Sequence, residues 1–230
     1  MKPVVLDAFC GQGGAAMGYH LAGFDVIGFD NKPQPRYPFD FILADALEVL
    51  ADPLRFIPLG HRRRVAFVHA SPPCQKFSRF RSTYKGKPHP DLIAPSRDLL
   101  ERLGCPWTIE NVPDAPLVDP VRLCGSSFGL GCAGLGRELR RHRHFESNWP
   151  LRGSVCNHRL PVVGVYGHGG HHRLPTKERG GFQARADEAR EAMGMPWASR
   201  DGCAQAIPPA YTLFIGRQLR EHLGLEEAAA

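Results

Sequence analysis

The chain has 230 residues, 43% of them hydrophobic and 23% charged, which is the make-up of a soluble globular protein with room for one sizeable core and a small appendage. No apolar run is long enough to span a bilayer. The opening MKPVVLDAF lacks the charged start, long apolar middle and cleavage site of a secretion signal, so a cytoplasmic protein is expected, in the host cytoplasm if phage-encoded. Lys and Arg exceed Asp and Glu by 29 − 23 = 6, which suits a polyanionic partner without establishing one, and the seven scattered cysteines read as reduced thiols.

Residues 4–9 (VVLDAF) form a short apolar run that ends at a glycine cluster. A helical stretch follows over 15–22, stopped by Gly23. Strands are predicted over 25–29, 41–44 and 64–70, the last (RVAFVHA) rich in β-branched and aromatic residues and ended by Pro72 and Pro73. A helix over 92–103 and a strand over 107–111 continue the alternation, which predicts an α/β fold with a parallel sheet covered on both faces. Beyond Asn111 the rhythm weakens: 125–136 reads as loop, 160–166 (LPVVGVY) as a strand, 167–181 as a polar Gly/His segment, 183–193 as a helix and 208–223 as a final helix with Pro at its start. The expected division is a catalytic and cofactor-binding core over 1–145, a small target-recognition insertion over 146–203, and a helix over 204–230 that returns to the core.

The segment from Asp7 to Gly14 (DAFCGQGG) joins the first strand to the first helix, and its glycines let a ligand approach the backbone closely. Gly11-x-Gly13-x-x-Ala16 matches a loose dinucleotide fingerprint, with Asp30 at the end of the second strand where a carboxylate commonly binds a ribose hydroxyl. On these residues alone NAD and S-adenosylmethionine compete, and a purely structural turn is a third option. Asp45, after the third strand, is suited either to an adenine amine or to capping a helix.

The segment from Ser71 to Ser78 (SPPCQKFS) lies past the carboxyl end of a central strand, where ligands of open α/β sheets bind. Two prolines fix the direction of Cys74, and a cysteine on such a loop is a plausible nucleophile. Glu110, ending the next strand, is expected on the same edge, in a partly dry setting where a carboxyl can retain a proton.

At this point the chain resembles a family. The segment 7–14 resembles the first motif of DNA cytosine-5 methyltransferases, 71–78 their Pro-Cys-Gln loop, 110–112 their Glu-Asn-Val motif, 140–145 (RRHRHF) their Arg-x-Arg motif, and 205–209 (QAIPP) their closing motif. The resemblance implies a Rossmann-like fold, S-adenosylmethionine as cofactor, and double-stranded DNA with a flipped cytosine as partner to a monomer. It implies that Cys74 adds to C6 of cytosine, that Glu110 binds N3 and the exocyclic amine, and that Arg143, with Arg141, holds O2. It further implies Phe9 against the adenine or sulfonium region, Gly11, Gln12 and Gly14 along the methionine, Asp30 on the ribose, Asp45 on the adenine amine, Pro73 in the floor shared with the base, and Gln205 at the cofactor. Without it, Arg141 and Arg143 read as phosphate contacts or solvated charges. Methylation of RNA by the same chemistry, or a silent nucleic-acid-binding homologue, are the alternatives.

The basic clusters at 62–64 and 137–143, together with Lys76, Arg79, Arg81, Lys85 and Lys87, are expected to hold flanking phosphates, with the loop to about Pro90 closing over the base. Two features depart from the family: the region 146–203 is short for target recognition, and the closing motif, which usually begins with Asn before its small residue, has Gln205 and Ala206 there, so that an amide remains but Ala206 has no hydroxyl to donate. Cys156, His158, His168, His171 and His172 are of the type that ligates Zn²⁺, but their spacing matches no standard finger. They are expected to be DNA-facing loop residues, with no metal, and Tyr166 either to face the DNA or to join the core.

Overall fold

A computed structural model describes residues 2–62, 64–77, 89–167 and 182–225. The elements in chain order are β1 (Val4–Ala8), α1 (Gly14–Leu21), β2 (Asp25–Asp30), β3 (Asp40–Leu43), α2 (Ala46–Ala51), α3 (Pro53–Phe56), α4 (Leu59–Arg62), β4 (Val65–Ala70), α5 (Ile93–Arg102) and β5 (Trp107–Asn111). The second half adds β6 (Val121–Leu123), β7 (Gly131–Cys132), β8 (Arg137–Glu138), β9 (Arg143–Ser147), β10 (Val163–Gly164), β11 (Phe182–Gln183), α6 (Ala186–Met193), α7 (Arg200–Gln205) and α8 (Pro209–His222). No helix among the described residues is long and apolar enough to cross a membrane.

The central sheet has seven strands in the order β3-β2-β1-β4-β5-β9-β6. The first five are mutually parallel, as their apolar runs predict, but β9 runs antiparallel between β5 and β6, so the sheet is mixed at that edge. The period-2 alternation of a strand divides β1 between two cores: Val5 packs with Tyr19, Phe67, Tyr211 and Ile215 under α1 and α8, while Val4, Leu6 and Ala8 pack with Val49, Leu50 and Leu100 under α2 and α5. On the first face α1 and α8 touch at Gly18, where an added Cβ would overlap Thr212 Oγ1 and the Pro209 carbonyl. Thr212 Oγ1 donates to the Ala15 carbonyl at 2.8 Å across that contact.

A third cluster lies apart, built from α6, α7 and β10 (Val163, Ala189, Ala192, Met193, Cys203), and it draws in Cys132 and Leu139. The strand predicted over 160–166 is only Val163–Gly164 within the described residues, because its partner β11 contributes only Phe182 and Gln183. β11 also takes the start of the helix predicted over 183–193, which begins instead at Ala186, where the Glu188 carboxylate accepts from the Arg185 N–H at 2.7 Å in a capping box.

Candidate active site

The carboxyl ends of β1, β2, β4 and β5 and the start of β9 open into one cavity of about 720 Å³, within the range of small-molecule sites. It is lined by Phe9, Gly11, Gln12, Gly14, Asp30 and Asp45 on one side and by Pro73, Cys74, Glu110, Arg141, Arg143 and Gln205 on the other. Every residue assigned from the sequence therefore reaches the same space, with different partners.

The glycine turn is held open by backbone geometry. Phe9 (φ 59°), Gly11 (φ 50°) and Gly13 (φ 81°) all adopt left-handed conformations. Asp30 spans the turn: one carboxylate oxygen accepts from the Gly11 N–H at 3.1 Å and the other from the Lys32 N–H at 3.0 Å. A Cβ on Gly14 would overlap the Ile207 carbonyl, so the closing segment 205–209 lies directly on the turn. Gln12 lines the cavity, but its amide is engaged by Ser199, donating to Oγ at 3.0 Å and accepting from the backbone N–H at 2.8 Å. Asp45 caps α2, accepting from the Leu47 N–H at 2.8 Å, as one of its two sequence readings anticipated.

Asp7, to which the sequence reading gave no separate role, is fully buried at the end of β1 and also lines the cavity. Burial, with some repulsion from Asp30, pushes its carboxyl up to about 8, and its Oδ1 has no hydrogen-bond partner among the described residues. The signal was present in VVLDAF, an acid inside an apolar run. An orphaned carboxylate oxygen beside Asp30 and Asp45 suits a ligand rich in donors, and the ammonium and ribose hydroxyls of S-adenosylmethionine fit that set.

Opposite the turn, burial pushes up the Cys74 thiol, Arg143 and Arg141 pull it down, and Glu110 pushes it up again. Glu110 is only 7% exposed, and Arg143 Nε lies 3.1 Å from its Oε1. Burial pushes the Glu110 carboxyl up against the opposing pull of Arg143, Arg141 and a hydrogen bond from Ser71. That bond begins a buried relay. His69 Nε2 lies 2.9 Å from Ser71 Oγ, and Tyr19 Oη 3.0 Å from His69 Nδ1. With Glu110 ionised, Ser71 donates to it and accepts from His69 Nε2–H, so Nδ1 accepts from Tyr19. Burial drives the His69 pKa down to about 3, so the ring is neutral. Asn111 fastens the loop below the nucleophile, donating from Nδ2 to the Pro72 carbonyl at 2.9 Å.

Arg141, expected beside Arg143 at the base, has other partners. Its guanidinium donates to the carbonyls of Ala206 (2.9 Å), Val165 (2.7 Å) and Ala204 (2.8 Å), from a residue with φ 28°. Burial and the neighbouring Arg143 lower its pKa to about 9. It ties the start of β9 to the closing segment and to β10, leaving Arg143 as the cation directed at Glu110.

The basic clusters are largely engaged inside the fold. Arg137 donates to the Val162 carbonyl and lies over the Phe182 ring, and Arg140 pairs with Glu138. Arg62 donates to the Ile57 carbonyl, and Arg64 pairs with Asp25. Arg62 and Arg64 also flank the amino end of β4, about 20 Å along that strand from the Cys74 edge. Lys76 pairs with Asp91 at 3.3 Å. Arg63, Ser78, Arg79, Arg81, Lys85, Lys87, His168, His171 and His172 lie outside the described residues, as does most of the loop expected to close over the base. Tyr166 lines the cavity, and its carbonyl accepts from Gln183 and Arg200. Cys156 and His158, expected to face DNA, turn instead towards His142 and Cys124.

An E. coli prophage protein described as a DNA modification methyltransferase shares this architecture with a TM-score of 0.62 and 15% identity, covering 97% of this chain and 100% of that one. The S. pombe Dnmt2 methyltransferase gives 0.59 and 12%, covering 98% and 100%. The chain has the S-adenosylmethionine-dependent methyltransferase fold. In sequence, the type II methyltransferase M.XorII of Xanthomonas oryzae pv. oryzae is 31% identical over 85 residues, 34% of this chain, so the match covers only 20% of that relative's length. No protein-family model matches. These likenesses agree with the resemblance to small DNA cytosine-5 methyltransferases read from the motifs. In this methyltransferase fold the cavity occupies the usual ligand position of an open α/β sheet, outside the carboxyl ends of its strands.

Proposed function

We propose that the chain is a DNA (cytosine-5) methyltransferase that uses S-adenosylmethionine on a cytosine flipped out of double-stranded DNA. The observation that carries this reading is the meeting of Cys74, Glu110 and Arg143 in the cavity that also receives the glycine turn. Bound S-adenosylmethionine supplies an electrophilic methyl group on a sulfonium. The glycine turn and Asp7 suit its amino-acid end, Asp30 its ribose, Asp45 its adenine, and Phe9 its apolar faces.

A base inside a duplex cannot reach Cys74, so the target is extruded, at a cost of a few kcal/mol of unstacking. Arg143 and Arg141 favour the Cys74 thiolate, which forms a bond to C6 of the ring while the C5–C6 π electrons move towards C5. Glu110, its carboxyl raised by burial, delivers a proton to N3 and accepts from the exocyclic amine, which relieves the charge created by that addition. Arg143 donates to O2 and orients the ring. Once C5 is methylated, N3 returns its proton to Glu110, a solvent water takes the proton from C5, and the electron pair left behind restores the C5–C6 double bond as the S–C6 bond breaks and returns the thiolate.

None of these groups reads the sugar, so the test carries both polymers. The full chain is incubated with methyl-labelled S-adenosylmethionine and matched DNA or RNA, beside Cys74→Ser. Label at C5 of cytosine in DNA, absent from the variant, supports the reading. Label confined to RNA, or undiminished in the variant, overturns it. Bisulfite sequencing of the product then gives the recognition site.

A further inference from the structure

At the β6–β9 edge of the sheet four side chains from three segments converge. Leu123 of β6 stands opposite Arg143 of β9, so Cys124 and His142, each one residue beyond that pair, leave the strands side by side. The segment after β9 then returns across them. The Ser154 N–H donates to the Arg122 carbonyl at 2.9 Å, and Ser154 Oγ accepts from the Cys124 N–H at 3.2 Å. This return delivers Cys156 and His158 to the same point. Cys124 Sγ lies 3.3 Å from His158 Nε2, and Cys156 Sγ 3.4 Å from His142 Nε2. One ligand atom from each of the four residues lies within 4.8 Å of all the others.

Tetrahedral Zn²⁺, with Zn–S near 2.3 Å and Zn–N near 2.0 Å, sets sulfur and nitrogen about 3.5 Å apart. The two sulfur–nitrogen distances above fall at that edge length. We propose that Cys124, His142, Cys156 and His158 bind one structural Zn²⁺. Two thiolates balance the charge of the ion, which matters beside Arg122 and Arg140, since each of these would repel an uncompensated cation. Four protein ligands leave no open position, so the ion has no substrate to activate. Its effect is mechanical: His142 is the residue between Arg141 and Arg143, and a metal on it fixes the start of β9 against β6 and the 148–162 segment. The sequence offered Cys156 and His158 but could not supply Cys124 and His142, because only the antiparallel pairing of β6 with β9 brings these together.

The test is independent of the methyltransferase reading. Full-length protein, purified with neither chelator nor added metal, is assayed for zinc by mass spectrometry. It is then stripped and titrated with Co²⁺. One zinc per chain, and a tetrahedral cobalt spectrum with a thiolate charge-transfer band, are expected. His158→Ala, the mildest change because His158 is exposed, should lose zinc to background, and Cys156→Ser should also weaken the charge-transfer band. Folded wild-type protein without zinc that takes no tetrahedral Co²⁺ overturns the proposal. So does a Cys124–Cys156 disulfide in the unreduced peptide map, or full zinc occupancy in a folded Cys156→Ser/His158→Ala variant. Should the variants fail to fold, the wild-type zinc content and cobalt spectrum decide the question alone.

Discussion

At the ends of β1, β2 and β4 the backbone places the functional groups, through left-handed residues in the glycine turn, two prolines before Cys74 and a carboxylate on the Gly11 N–H. At the start of β9 side chains do the placing. Arg141 grips three carbonyls so that Arg143, two residues on, can face Glu110. The parallel edge thus leaves its side chains turned to the cavity, whereas the antiparallel edge uses most of its cations to hold itself together. Positive charge is consequently a poor guide to which side chains are turned to the cavity, and the position of a residue on the sheet is a better one.

The largest effect is expected at Cys74. Cys74→Ser should lower methyl transfer by about 10³-fold or more while circular dichroism and Tm stay near wild type, because the residue carries chemistry and little packing. The two arginines should then part company. Arg143→Gln should reduce kcat/KM by about 10²–10³-fold with a small change in Tm, since Glu110 can answer the loss of its partner by taking up a proton. Arg141→Gln should act through stability: each carbonyl orphaned in a buried site costs about 1–3 kcal/mol, so a loss of about 3 kcal/mol or more and a fall in Tm of roughly 6–12 °C are expected in thermal melts. If the two variants behave alike, the division of labour at β9 is wrong.

Asp7 tests the parallel edge. Its folded pKa, about 8, lies above the value of 3.8 for an unperturbed aspartate, so its contribution to stability is full below the unfolded pKa and is lost as pH rises through about 8. Asp7→Asn should therefore raise Tm at pH 8, by roughly 2–4 °C per kcal/mol recovered, and flatten its fall with pH, while weakening S-adenosylmethionine binding measured by calorimetry. A variant that is no more stable at pH 8 would remove the argument that this carboxylate awaits a donor. The smallest effect is expected at the far end of β4. Arg62→Ala should leave DNA affinity within about twofold and the salt dependence of binding unchanged, whereas loss of a true phosphate contact would lower the log–log slope by about 0.9.

The parallel half of the sheet was legible in the sequence because strands buried on both faces must be continuous apolar runs, as in 4–9 and 64–70. The residues that line the cavity were legible because several of them sit where such runs end. β9 was not, since RHFES carries no period of its own and becomes a strand by pairing with β5 and β6. The partners of a side chain were also hidden. Gln12 and Arg141 read in the chain as ligand-binding groups, and both line the cavity, but nothing in the chain showed that Gln12 also fastens Ser199 and Arg141 the closing segment. His69, a polar residue inside an apolar run, was the overlooked sign of the relay behind Glu110.

The packing of Thr212 against Ala15 joins residues 197 positions apart, and the closing segment just before it covers the glycine turn. Loop closure over such a separation is slow. The glycine turn thus waits on a segment almost the whole length of the described fold away before its packing is complete. In refolding, binding of S-adenosylmethionine should emerge with the slowest phase of recovery, after the parallel strands have regained their far-ultraviolet signal, and its appearance in an earlier phase would show that the turn matures without α8.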